Sequence, residues 1–130
     1  MTYIKILFCA CAFMLFGFTI NTTYKEWKFI GDKNVGYDVD HDEINAGDKN
    51  DEFRQIRIRV TDAPLKIMDL KIHFDNGSVQ DVSIRNNIKQ DGESRVIDLN
   101  GGLRRLDKIE FWYSTVGKDK GRAKVAVWGK

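Results

Sequence analysis

Three aspartates, Asp38, Asp40 and Asp42, stand at alternate positions in the segment Asp38-Val39-Asp40-His41-Asp42-Glu43. Calcium takes several carboxylate oxygens, and alternate residues of an extended strand share one face, so these three are the candidate metal ligands. An EF-hand register starting at Asp38 fails, because its sixth position is Glu43 instead of glycine and its twelfth is Lys49 instead of glutamate. The segment therefore offers ligands to an irregular calcium site at most, and a solvated acidic turn is the plainer reading. No other cofactor is implied.

Two tryptophans, Trp112 and Trp128, flank the loop Gly117-Lys118-Asp119-Lys120-Gly121. Paired as a hairpin about Asp119, the flanking strands would set Trp112 opposite Ala126 and Trp128 opposite Glu110. Both indoles would then face outward, diagonal across a small alanine and beside Lys124. Such a platform stacks against a sugar ring or a partner side chain. The competing expectation is that another strand, or the segment around Trp27, covers this face. A third constellation is Ile97-Asp98-Leu99-Asn100-Gly101-Gly102-Leu103-Arg104-Arg105-Leu106. Its glycines and arginines suit a tight turn closed by a charge-assisted pair, with an anion site at Arg104 or Arg105 as the minority reading.

Catalytic chemistry is hard to find. The chain has 2 histidines, and His73 stands among Asp69 and Lys71 on the polar side of a strand, where it reads as an ordinary exposed histidine. No phosphate loop, H-E-x-x-H or G-x-S-x-G motif occurs.

The elements that must carry these residues are strands. Ile56, Ile58 and Val60 alternate with Arg57 and Arg59; Leu70, Ile72 and Phe74 with Lys71 and His73; Ile109, Phe111 and Tyr113 with Glu110 and Trp112. Ala123, Val125 and Val127 alternate with Lys124, Ala126 and Trp128. Shorter candidates lie at 27–30, 43–45, 82–84 and 96–99. About eight short strands with period-two alternation predict an all-β, antiparallel two-sheet sandwich, jelly-roll-like in kind. Within it, Asp75-Asn76-Gly77 reads as a three-residue hairpin loop. That register turns Val82 and Ile84 inward, whereas a two-residue loop would bury Asp81 and Ser83.

The uncharged run at residues 6–20 follows Lys5 and is shorter than the roughly 20 apolar residues a membrane span needs. It is expected to be the core of a signal peptide covering residues 1–22, leaving 23–130 as a single domain without a stable membrane span. Cys9 and Cys11, the only cysteines, fall inside that leader, so the expected domain has neither disulfide nor thiolate site. Export without disulfides suits a bacterial envelope, periplasmic or secreted. The whole chain carries a net charge of +2, an almost even balance that argues against nucleic acid, which would favour a strongly basic face.

Across nearly the whole of the expected domain the chain resembles a family of small exported bacterial proteins of unknown function with a β-sandwich or jelly-roll domain. The resemblance rests on Trp27-Lys28-Phe29-Ile30-Gly31, Asp40-His41-Asp42-Glu43-Ile44, Phe74-Asp75-Asn76-Gly77, Gln80-Asp81-Val82 and Ser94-Arg95-Val96-Ile97-Asp98-Leu99. It continues through Gly101-Gly102-Leu103-Arg104-Arg105-Leu106, Phe111-Trp112-Tyr113-Ser114 and residues 123–129. It implies the fold and export, and brings no activity with it. The function expected on these grounds is a non-catalytic binding module whose partner is an envelope protein or a glycan. The alternative is a metal-dependent or hydrolytic envelope enzyme, or an accessory domain of one, using the 38–42 segment.

Overall fold

The computed structural model describes residues 26–36, 40–47, 51–115 and 121–130. The expected leader, Asp38 and the 116–120 segment lie outside them. The described residues form nine strands: β1 (Lys28–Asn34), β2 (Asp40–Asn45), β3 (Glu52–Phe53), β4 (Gln55–Thr61), β5 (Leu65–Phe74), β6 (Val79–Ile88), β7 (Ile97–Asp98), β8 (Arg104–Thr115) and β9 (Lys124–Gly129). No helix is present among the described residues, so none there is long and apolar enough to cross a membrane. The eight strands expected from alternation are all found, and the two-residue β3 is added to them.

The strands form two antiparallel sheets, ordered β1-β9-β4-β7 and β2-β8-β5-β6, with β3 continuing along the β2 side of β8. Consecutive strands mostly change sheets, and the two orders are those of a jelly roll. Alternation explains the core. Ile56, Ile58 and Val60 of β4, Ile109, Phe111 and Tyr113 of β8, and Val125 and Val127 of β9 are fully enclosed between the sheets.

Two phase changes in the apolar pattern are absorbed by bulges. In β5 the inward residues are Leu65 and Ile67, then Leu70, Ile72 and Phe74, and the pairing shifts between Ile67 and Asp69. Met68 is the extra residue that keeps both runs inward. In β8 the shift opposite His73 and Phe74 lies between Lys108 and Leu106 and joins Leu106 to the Ile109–Phe111–Tyr113 phase in the same way. The β5–β6 turn has the three-residue form: Phe74 N donates to Ser78 O at 2.9 Å, Gly77 has φ +90°, and Val82 and Ile84 are buried. Gln80, also buried, is satisfied from both ends. It donates to Asp98 O at 2.9 Å and accepts from Asn100 N at 2.7 Å, tying β6 to the turn after β7.

Two expectations need correction. The strands carrying Trp112 and Trp128 do not pair: β8 lies between β2 and β5, and β9 lies between β1 and β4 in the opposite sheet. Period-two alternation assigns each residue a face but leaves the strand's neighbours open, and a symmetric loop suits a crossover as well as a hairpin. Arg57, Glu110 and Lys124 stand at the polar positions of alternating strands, where exposure is expected, yet all three are half-buried. Arg57 lies over the Trp27 ring and pairs with Glu93, and Glu110 is flanked by His41 and His73.

Candidate functional site

The outer face of the larger sheet is a grid set by register. Its first row runs His41 (β2), Trp112 (β8), Asp69 (β5) and Ser83 (β6). Its second runs Glu43, Glu110, Lys71 and Asp81, and its third Asn45, Lys108, His73 and Val79. Diagonal neighbours in such a grid come within reach of long side chains. His41 and His73 therefore approach Glu110 from opposite sides. His41 Nε2 lies 2.5 Å from Glu110 Oε2, and His73 Nε2 lies 2.8 Å from Oε1. The His73 hydrogen bond holds the Glu110 carboxyl below its usual range; desolvation opposes this, and the bond from His41 adds to it. His73 is thus a partnered residue and not the ordinary exposed histidine expected.

The ring of His41 also stacks on Trp112, centroids 4.7 Å apart and planes 25° apart, and Lys71 Nζ stands 5.8 Å from the Trp112 ring centroid. Beside them a groove of about 370 Å³ runs over β5 at Leu70 and β6 at Val82, walled by Trp112, Asp69, Lys71, Asp81 and Ser83. One aromatic wall faces two carboxylates, an ammonium and a hydroxyl, and the volume falls within the roughly 300–1,000 Å³ of small-ligand clefts. Lys71 also pairs with Asp81 at 3.8 Å.

The other candidate residues are dispersed. Trp128 and Lys124 lie on the outer face of β9, on the far side of the sandwich from Trp112. Phe29 packs edge-on against Trp128 at 5.4 Å, and a shallower groove of about 200 Å³ joins Trp128 to Trp27, Arg57, Arg59 and Glu93. Arg57 lies 4.3 Å over the Trp27 ring and 3.0 Å from Glu93. The Trp27 segment thus covers part of this face. Trp128 Nε1 is buried without an acceptor among the described residues.

Arg104 acts as a structural strap. Its guanidinium donates to Asn100 O at 2.7 Å, Ser78 Oγ at 3.0 Å and Asn76 Oδ1 at 3.2 Å, and lies 3.8 Å over the Phe74 ring. The turn is closed by this charged donor on neutral oxygens, while Asp98 instead accepts from Gln55 Nε2 at 2.9 Å. Arg105 is exposed and stands 4.0 Å from Glu52, its neighbour on β3.

Asp40 and Asp42 share the inward-turned side of β2, opposite Tyr113 and Phe111. Asp42 Oδ2 accepts from the Tyr113 hydroxyl at 2.8 Å, and that hydroxyl accepts from Gly36 N at 2.9 Å. Burial, and next to it Asp42, pushes the Tyr113 phenol up to about 12, although the Gly36 N–H opposes the shift. The residues between the aspartates, His41 and Glu43, face outward beside Glu110, where the three ligand atoms lie within 4.8 Å of one another. Sequence reasoning missed this trio and His73. The parity of His41 against Trp112 carried a signal, but it becomes readable only once β2 and β8 are known to pair.

A two-sheet jelly roll with an open, aromatic-walled groove on one sheet face defines an antiparallel β-sandwich domain with a lateral cleft. The chain belongs to the DUF2541 family, a domain of unknown function, whose profile matches residues 7–129. No curated protein matches it. Among solved structures it is similar to AlgX of Pseudomonas aeruginosa, with 13% identity over 79% of this chain and a TM-score of 0.53. That likeness is one of fold, and the chain spans 26% of AlgX. The SPBc2 prophage-derived protein YomS aligns over 84% of this chain and 98% of its own, with 15% identity and a TM-score of 0.41. A family 29 carbohydrate-binding module aligns over 81% and 89%, with 12% identity and a TM-score of 0.34.

Proposed function

We propose that this protein is an exported, non-catalytic binding module of the cell envelope, and that its ligand is a glycan seated in the groove beside Trp112. The groove itself carries the reading: one indole wall opposite Asp69, Lys71, Asp81 and Ser83. An aromatic surface takes the C–H face of a sugar ring. Carboxylates accept from its hydroxyls, and an ammonium donates to them. The uncharged run at residues 6–20 supports export. His41 and His73 both engage Glu110, and with His41 stacked on the indole this group acts as scaffolding for the Trp112 wall.

Affinity electrophoresis through gels containing envelope and storage polysaccharides tests this. At least one polysaccharide should retard the protein, Trp112→Ala should abolish the retardation, and Trp128→Ala should leave it intact. Retention that survives Trp112→Ala, or a panel in which nothing retards the wild type, removes the glycan reading.

A further inference from the structure

We propose that His41, Glu43 and Glu110 bind one divalent transition-metal ion of the zinc class, with His73 holding the Glu110 carboxylate in position. This proposal does not rest on the glycan reading: the cluster lies on the β2–β8 side of Trp112, whereas the groove lies over β5 and β6, although His41 stacks on the indole they share. Three ligands suited to zinc, one imidazole and two carboxylates, converge from two paired strands with their ligand atoms within 4.8 Å.

Zinc bonds of about 2.0–2.2 Å place tetrahedral ligands roughly 3.3–3.5 Å apart. His41 Nε2 and Glu110 Oε2 are now 2.5 Å apart, joined by a hydrogen bond. The metal takes the place of that bond's proton, the His41 N–H moves to Nδ1, and the two groups separate by less than an ångström or so. Glu43 closes the remaining distance by rotation, which its 46% exposed side chain permits. It gives up Lys108, whose Nζ lies 3.2 Å from Glu43 Oε1. An exposed ion pair of that kind contributes little, so its loss is a minor cost.

Two features make the cluster more than adjacent polar groups. The His41 ring is oriented by stacking on Trp112, so its nitrogen is aimed before any ion arrives. The second oxygen of Glu110 is held by His73 at 2.8 Å, the outer partner that ligating carboxylates characteristically have. Water completes the coordination on the solvent side. Calcium is disfavoured, since it wants six to eight oxygens and this cluster offers two carboxylates and a nitrogen. The aspartates at 40 and 42 are on the other side of β2 and take no part.

The test titrates zinc chloride into the full chain by calorimetry, in a Cys9→Ser, Cys11→Ser background so that thiols near the N-terminus cannot contribute. One ion should bind per chain. His41→Gln should weaken binding by at least tenfold, His73→Gln by roughly 10–100-fold, and Asp42→Asn should change nothing. The chain has 2 histidines, so their imidazole NMR signals report directly. Zinc should shift His41 strongly and His73 weakly, and millimolar calcium should leave both in place. Far-UV dichroism and melting confirm that the variants fold. Absence of saturable binding, or affinity unchanged in a folded His41→Gln, overturns the proposal. So does a loss of binding in a folded Asp42→Asn.

Discussion

Replacing Tyr113 by phenylalanine removes one oxygen from the core edge and should leave a pH-dependent signature. The hydroxyl accepts from Gly36 N at 2.9 Å and donates to Asp42 at 2.8 Å, and the residue is wholly enclosed. Losing it strands a donor and a carboxylate oxygen at the start of β2, a cost of about 1–3 kcal/mol near neutral pH. The gap between wild type and variant should then close in alkali. The phenol ionises at about 12 in the folded protein and at 10.0 ordinarily, because burial and the adjacent Asp42 oppose the phenolate. Between those values the unfolded chain has released a proton that the folded chain retains, so stability falls as pH rises. The phenol's contribution is complete below pH 10 and is lost across pH 10–12. Wild type should lose about 1.4 kcal/mol relative to Tyr113→Phe for each pH unit above 10. Urea unfolding of both proteins at pH 8, 10 and 11 measures this, and lysines and other tyrosines cancel in the difference. A gap that stays constant from pH 8 to pH 11 would refute the reasoning, because it would mean that the hydroxyl ionises as freely folded as unfolded.

Two further outcomes are expected. Gly129→Ala should destabilise the domain by about 1–3 kcal/mol in urea unfolding, since a Cβ there would meet Phe53 Cδ1 at 2.5 Å and Ile30 Cδ1 at 2.8 Å; Phe53→Leu should recover part of the loss, and full additivity of the two changes would show that the clash is not the cause. Mass spectrometry of the protein recovered from its native envelope should find an N-terminus between residues 20 and 24, and an intact Met1 on a soluble cytoplasmic protein would contradict the expected leader.

What was legible in the sequence was face, and what was not was neighbour. Ile58, Ile72, Phe111 and Val125 point inward as their alternation requires, and the core is built from such positions. The Asn76-Gly77 turn was readable because burying Asp81 and Ser83 is costly enough to choose the register. The Trp112 and Trp128 platform failed because nothing local says that β8 prefers β2 and β5 to β9. His73 and Glu110 meet only after the Met68 bulge and the irregularity near Asp107 have set how β5 slides on β8. The phase change from Leu65 and Ile67 to Leu70 and Ile72 announces the first of these bulges, but its effect on distant partners depends on the assembled sheet. The Asp38, Asp40 and Asp42 pattern drew attention to β2, while the outward chemistry belongs to the interleaved His41 and Glu43.

The position of β9 has a consequence for assembly in time. It follows β1 to β8 in chain order, yet it lies between β1 and β4 and, among the described residues, gives each its only long antiparallel partner. A chain emerging N-terminus first can close the β5–β6 hairpin early, but β1 and β4 wait with open edges until Lys124–Gly129 arrives. The smaller sheet can therefore close only once β9 is in place between β1 and β4. Loss of β9 would leave two adhesive edges side by side, the condition under which β proteins capture one another.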